Sequence, residues 1–349
     1  MTKILVTGGA GFIGANFVHH AVETKPVSIV NLDLLTYAGN PESLTDVDAG
    51  RHSLVHGDIA DSRLVRALLE EHQPDAIVHF AAESHVDRSI DNPSAFIETN
   101  VLGTQALLDA SLDYWKRGRS DFRFVHVSTD EVYGDLEPDE PAFRETNAYQ
   151  PSSPYAASKA AADHLVRAWH RTWGLPVVIT NCSNNYGPRQ FPEKLIPLML
   201  INALQGRELP VYGDGQQRRD WLFVTDHCRA LMRVIEDGVP GRTYNVGGNA
   251  ERTNLEIVHT LCDLLDQQVP VERPRRELIR HVRDRPGHDR RYAIDASRIR
   301  GELGWAPQMD LRSGLEATVA WYLENREWWQ RIQDGSYRGE RLGTRGDVR

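Results

Sequence analysis

Short apolar runs alternate with stretches of mixed polarity through the first half of the chain. Lys3–Thr7, Val27–Asp33, Ser53–Gly57, Asp75–Phe80, Phe122–Ser128 and Val177–Thr180 read as six strands. Between them, helices are expected from a glycine turn to about Glu23, over Ser62–His72, over Pro93–Tyr114 and over Tyr155–Trp173. Strands that alternate with helices predict a parallel sheet covered on both faces, so the fold class is α/β, a doubly wound Rossmann-type sheet. After Tyr186 the rhythm loosens and Pro and Gly become frequent, as in Gly187-Pro188, Pro192, Pro197, Pro210, Gly213 and Gly215. This predicts a large unit over residues 1–186 and a smaller C-terminal lobe over 187–333, with chain crossings possible between them. A final helix is expected over Leu311–Gln333, then a polar tail over 334–349.

Composition narrows the picture. The chain has 349 residues, room for about two domains. Acidic residues outnumber basic ones 49 to 40, which argues against a general nucleic-acid binder but leaves room for a local phosphate pocket. No apolar run is long enough to span a bilayer, and the N-terminus enters a strand where a signal peptide would need an apolar core. The three cysteines (Cys182, Cys228, Cys262) form neither a disulfide framework nor a metal knuckle, and a reducing cytoplasm is the expected compartment. Of the 40 basic residues only Lys3, Lys25, Lys116, Lys159 and Lys194 are lysines, so each invites the question of why arginine does not stand there.

Thr7-Gly8-Gly9-Ala10-Gly11-Phe12-Ile13-Gly14 lies between an expected strand and an expected helix. Gly8 permits the tight turn, Gly11 lets a pyrophosphate approach the backbone, and Gly14 lets helix and sheet pack closely. The N–H groups opening the helix then face the phosphates. Asp33 ends the second strand, 25 residues after Gly8, where an acid binds ribose hydroxyls and repels a 2′-phosphate. That favours NAD over NADP. Asp58 follows the third strand and suits either an adenine contact or a helix cap. Phe80-Ala81-Ala82 puts small side chains at the end of the fourth strand.

Tyr155 and Lys159 share a helix face, with Ser152 or Ser153 able to cap that helix and Pro154 suited to its first turn. An ammonium beside a phenol favours the phenolate, which would make Tyr155 a general base toward a sugar or alcohol hydroxyl. Ser128-Thr129-Asp130-Glu131 follows the fifth strand, at the sheet edge where ligands bind in open α/β folds. Thr129 can bond the oxygen that Tyr155 deprotonates. Hydride transfer needs only one acid–base group, so Asp130 and Glu131 suggest additional proton chemistry. A solvated acidic turn is the alternative for that pair. His79, His85 and His126 lack ligand spacing, His79 and His126 read as strand residues, and no metal is required.

Taken with D-L-L-T-Y-A-G-N (33–40), A-A-E-S-H-V-D-R-S-I (81–90), S-N-N-Y-G-P (183–188), F-P-E-K-L-I-P (191–197), R-D-W-L-F-V-T-D (219–226) and R-P-G-H-D-R-R-Y (285–292), these motifs resemble the extended branch of the short-chain dehydrogenase/reductase family. The Thr-Asp-Glu triplet makes the chain most similar to its nucleotide-sugar 4,6-dehydratases. The resemblance implies NAD as coenzyme, dTDP-glucose as substrate and a homodimer built on the Pro93–Tyr114 and Tyr155–Trp173 helices. It assigns catalysis to Thr129, Asp130, Glu131, Tyr155 and Lys159. It implies a coenzyme site of Gly8, Gly11, Phe12, Ile13, Gly14, Asp33, Leu34, Thr36, Asp58, Ile59, Ala81, Ala82, Ser84, Thr99, Tyr155, Lys159 and Asn185. Leu34 departs from the lysine or alanine more usual there. Substrate contacts are implied for Ser84, Thr129, Asn184, Lys194, Leu195, Pro210, Tyr212, Arg219, Asn254, Arg285 and His288. Lys194, Arg219 and Arg285 could offset a diphosphate, or each arginine could be a surface ion pair. Asn185 and Tyr186 could instead form a turn with Gly187-Pro188. A 4-epimerase or decarboxylase on the same scaffold, and a coenzyme-binding scaffold without chemistry, are the competing readings.

Overall fold

The computed structural model describes residues 1–335. Its twelve strands are β1 (Thr2–Thr7), β2 (Val27–Asp33), β3 (His52–His56), β4 (Ala76–His79), β5 (Arg123–Thr129), β6 (Val177–Cys182), β7 (Asn184–Tyr186), β8 (Leu209–Tyr212), β9 (Arg218–Phe223), β10 (Thr243–Val246), β11 (Glu251–Thr253) and β12 (Ile279–Val282). Seven of them form one parallel sheet in the order β10-β6-β5-β4-β1-β2-β3. The order reverses beside β1, and the switch point there opens a crevice at the carboxyl ends of the strands.

Both faces of the sheet are buried, as its apolar strands require. Phe17, Val18 and Ala21 of helix Phe12–Thr24 pack with Leu231 and Val234 of helix Val224–Asp237 on one face. Leu68, Leu69, Leu107, Leu108 and Trp169, from three further helices, cover the other. A separate core holds the smaller lobe, where Leu200, Trp221, Leu261, Leu265 and Tyr322 meet. The three-stranded sheet β11-β9-β7 and the pair β12-β8 belong to that lobe.

The expected strands and helices are present, with four differences. Strand β6 runs two residues further, through Asn181 and Cys182, because the Asn181 amide is satisfied by Thr129 O and Asp163 Oδ2, both at 3.1 Å. The helix expected over Pro93–Tyr114 is a composite, with a π segment over Ile97–Gly103 between α-helical parts. Within the wide turn Asn100 points inward, bonded to Glu83 O at 2.9 Å and Ser158 Oγ at 2.8 Å. The helix expected over Leu311–Gln333 breaks at Asn325 into Leu311–Glu324 and Arg326–Gly335. The break turns Trp328 and Trp329 inward, where their indole N–H groups donate to Ser43 Oγ and Tyr322 O. Finally, the looser rhythm after Tyr186 conceals two full helices, Val224–Asp237 and Asn254–Gln268. Most of the expected tail, 336–349, lies outside the described residues. Among the described residues no helix is long and apolar enough to cross a membrane.

Candidate active site

The crevice holds a cavity lined by all the residues expected to bind a coenzyme and by all five expected catalytic residues. Gly8 has φ +73°, and a Cβ there would lie 2.5 Å from Ala81 N. A Cβ on Gly14 would lie 2.3 Å from Gly8 O, so the first turn of the helix packs directly on the loop. Gly11 caps that helix without a side chain, which leaves its opening N–H groups free to face the cavity. This cradle fits a pyrophosphate. Asp33 lines the cavity and accepts from Ala10 N and Leu35 N, both at 2.8 Å. Burial raises its carboxyl and the two N–H bonds oppose that rise. Leu34 is half-exposed at the rim.

The two readings of Asp58 now separate. Asp61 caps the helix Ser62–His72 through bonds to Arg63 N and Leu64 N, and Asp58 is left lining the cavity. Its Oδ1 accepts from Ala60 N at 2.9 Å. Asn185 belongs to β7 and also lines the cavity, so the simple turn with Gly187-Pro188 is not what forms there.

Ser153 caps the catalytic helix, with Oγ accepting from Ala156 N at 3.1 Å. One turn in, the buried Lys159 donates from Nζ to Val127 O at 2.9 Å. Burial lowers its ammonium, opposed by Asp163. The protein groups alone do not favour the expected phenolate. Burial and the carboxyls of Glu131 and Asp130 hold the proton on Tyr155 well above the usual phenol range, opposed by the bond to Thr129. Cys182, also in the wall, is pushed up to about 12 by burial and Asp130, so its thiol stays protonated. Behind the site, burial holds His79 and His126 neutral, His126 at about 4; these are strand residues, as expected.

Asp130 and Glu131 begin a short 3₁₀ turn directly after β5. This pair is not a solvated turn. Asp130 is almost fully buried, and its Oδ2 meets no hydrogen-bond partner among the described residues. Burial, Glu131 and Asp220 drive its carboxyl well above the ordinary value, against one opposing cation, Arg219. Glu131 is also raised by burial, but Arg285, Arg219 and Lys194 all pull it back. The geometry therefore favours a protonated Asp130 beside a more readily ionised Glu131.

Glu131 also lines a second cavity, on the lobe side, with Asn184, Lys194, Leu195, Pro210, Tyr212, Arg219, Asn254, Arg285 and His288. Ser84 and Thr129 line the first cavity only. Lys194 donates to Ser84 O at 3.0 Å, and Arg219 to Asp289 O at 2.9 Å. The Arg219 guanidinium lies 4.3 Å from the Tyr292 ring centroid. Arg219 is buried, with no carboxylate within ion-pair distance among the described residues, so the surface-ion-pair alternative fails for it. Arg285 does pair, with Asp87 at 3.3 Å, although within the cavity wall. Burial and both arginines keep His288 neutral. Sequence reasoning missed Asp87, Glu193, Trp221 and Tyr292 in this wall. Glu193 stood inside a quoted motif, but a carboxylate beside an anion-binding site gave no reason to assign it.

A dinucleotide cradle, a Tyr/Lys pair and a cation-lined second cavity define a dinucleotide-dependent enzyme for an anionic substrate. The chain belongs to the GDP-mannose 4,6 dehydratase family, whose model matches residues 5–318. It is 56% identical to a dTDP-glucose 4,6-dehydratase of Escherichia coli, over 98% of this chain and 99% of that protein. It is 60% identical to the enzyme of the same name from Xanthomonas campestris pv. campestris, over 99% of each. The crystal structure of DesIV, a dTDP-glucose 4,6-dehydratase from Streptomyces venezuelae with NAD and TYD bound, superposes with a TM-score of 0.88. That match is at 48% identity and covers 95% of this chain and 100% of DesIV.

Proposed function

We propose that this chain catalyses the NAD-dependent dehydration of dTDP-glucose to dTDP-4-keto-6-deoxyglucose. Gly8, Gly11, Gly14 and Asp33 hold the coenzyme. When bound, NAD supplies a hydride acceptor for C4, the donor for C6 and a cationic ring. Tyr155 takes the C4 hydroxyl proton once the cationic coenzyme ring and the Lys159 ammonium offset the Glu131 and Asp130 carboxyls that otherwise keep its phenol protonated, and Thr129 bonds the same oxygen. The resulting ketone acidifies C5–H. Glu131 removes that proton, and Asp130 protonates the C6 hydroxyl, which leaves as water. A proton returns to C5 as C6 is reduced, so the sequence is redox-neutral.

The observation that carries this reading is the unequal pair at the junction of the two cavities. Glu131 lines both and faces three cations, whereas Asp130 is buried beside carboxylates. A 4-epimerase needs no acid at C6, so it leaves Asp130 unexplained. Incubation with dTDP-, UDP-, CDP- and GDP-glucose, with products identified by mass spectrometry and NMR, tests both activity and base preference. A 6-deoxy product is expected from the dTDP sugar. Inversion at C4, CO₂ release from the corresponding uronate, or coenzyme binding without conversion would replace the proposal.

The same reading includes a homodimer. Ile97, Leu102 and Trp173 expose large apolar surface on the two helices expected to pair, which supports burial against a second copy. Sedimentation at micromolar concentration should give twice the chain mass, and a monomer would refute the pairing. Three buried free thiols support a reducing, cytoplasmic setting.

A further inference from the structure

The short helix Val86–Asp91 lies within the A-A-E-S-H-V-D-R-S-I stretch, and its neighbours Asp87 and Arg88 turn toward different partners. Asp87 faces the substrate cavity, where it accepts from Tyr212 Oη at 3.0 Å and Arg285 Nη1 at 3.3 Å. Arg88 turns toward the coenzyme side. Its Nε donates to Glu193 Oε2 at 3.1 Å, and its guanidinium carbon stands 3.8 Å from the Tyr37 ring centroid. Tyr37 completes the triangle, donating its hydroxyl to Glu193 Oε1 at 3.0 Å. The Tyr37 ring also meets Phe191 edge-on, with centroids 5.4 Å apart.

These contacts join three separate segments. Tyr37 lies between Thr36 and Ala38, both in the coenzyme cavity wall, shortly after Asp33. Phe191 and Glu193 line the same cavity from the segment that precedes helix Leu195–Leu204. Neither Tyr37 nor Arg88 lines the coenzyme or substrate cavity. The Glu193 side chain is 2% exposed. A buried carboxylate beside a diphosphate site is costly unless both oxygens are compensated, and here each takes one bond from this pair. The carboxylate is therefore better suited to pinning loops together than to meeting the ligand.

We propose that Tyr37 and Arg88 are positioning residues which, through Glu193, clasp the loop after β2 to the lobe and retain NAD throughout the catalytic cycle. The inference rests on the proposed dehydratase reaction, which makes retention a chemical requirement. A hydride leaves C4 early and is needed at C6 at the end. Escape of the reduced coenzyme between these steps would strand an oxidised sugar that still carries its C6 hydroxyl or its alkene.

The test compares full-length wild type with Tyr37→Phe and Arg88→Met, both of which keep most of the side-chain bulk. Bound NAD is quantified after gel filtration, and its exchange against isotopically labelled NAD is timed without sugar. Exchange should be about tenfold faster in each variant, the loss of about 1.4 kcal/mol of retention. With dTDP-glucose, pyruvate and lactate dehydrogenase, the variants should form lactate as reduced coenzyme escapes, one for each sugar left without its C6 hydride, and added NAD should refill the emptied sites so that further sugar is oxidised. Wild-type exchange in both variants overturns the clasp. Faster exchange without lactate also overturns it, because the coenzyme would then stay bound through the reaction without the clasp. Should Arg88→Met misfold, Tyr37→Phe removes a single hydroxyl and decides the matter alone. Exchange needs no sugar, so a wild type that fails to dehydrate dTDP-glucose refutes the substrate assignment and leaves the retention result readable.

Discussion

Asp130 and Glu131 are consecutive in the chain, yet they stand in unequal electrostatic surroundings, sharing only Arg219 among their cations. Asp130 has Asp220 and Glu131 for neighbours, while Glu131 faces Arg285, Arg219 and Lys194. Their inequality comes from the lobe, which supplies every one of those cations, and it is what lets two adjacent carboxyls take different roles.

Asp130→Asn should lower kcat for dehydration by about 10²–10³ while leaving C4 oxidation in place. Reduced coenzyme should then accumulate, visible in the near-ultraviolet absorbance, and water loss at the wild-type rate would remove Asp130 from the acid role. The same variant should be the more stable protein at neutral pH. The native Asp130 carboxyl is raised, so above the ordinary value of about 3.9 the unfolded chain releases a proton that the native chain keeps. Wild-type stability therefore falls as pH rises from there to the raised native value. Thermal unfolding should put Asp130→Asn about 1–3 °C above wild type at neutral pH, with the gap closing toward acid.

Glu131→Gln should suppress uptake of solvent deuterium at C5. A base must be ionised, so wild-type kcat should fall as the medium is acidified through the raised Glu131 value. The variant should lack that acidic limb. Because the pair titrates together, the limbs of the profile belong to both carboxyls. Deuterium uptake at the wild-type rate in the variant would assign the proton to another group.

Thr129→Val removes a hydrogen bond that draws the Tyr155 phenol down. Tyr155 should become harder to ionise. Single-turnover coenzyme reduction should slow about tenfold, and its rise with pH should move to more alkaline values. A rate lowered equally at every pH would mean that Thr129 acts on the substrate oxygen alone.

Gly14→Ala and Gly11→Ala should separate packing from binding. A Cβ at Gly14 meets backbone at 2.3 Å, which should cost about 1–3 kcal/mol or more in chemical denaturation. A Cβ at Gly11 comes no closer than 3.3 Å to Gly8 O and points to a loss of coenzyme affinity with little loss of stability. Equal destabilisation by the two substitutions would contradict the assigned division of labour.

The sheet was legible because β1, β2, β4, β5 and β6 are apolar runs buried on both faces, and the local signal is therefore strong. Strand β10 was not, since Thr-Tyr-Asn-Val alternates polar and apolar residues and owes its place to pairing with distant β6. The site residues were named from motifs, but their states were hidden. A lysine at i+4 suggested a phenolate, whereas the fold encloses Tyr155 with two carboxyls that oppose one. The Asp58 ambiguity was resolved only when Asp61 proved to be the cap. Glu193 had no local signal, because its partners lie 156 and 105 residues earlier in the chain.

Strand β10 pairs with Ile179–Cys182, so the outermost position of the main sheet is filled by chain that comes after much of the lobe. During synthesis β6 must wait with one side unpaired until Val246 has been made, a window in which strand-to-strand aggregation between nascent copies is a hazard. It also means that the two halves are not interchangeable cassettes. A chimaera that takes its lobe from a relative imports that relative's sheet border as well, and a truncation at Tyr186 leaves the Asp130 strand one neighbour away from a bare edge.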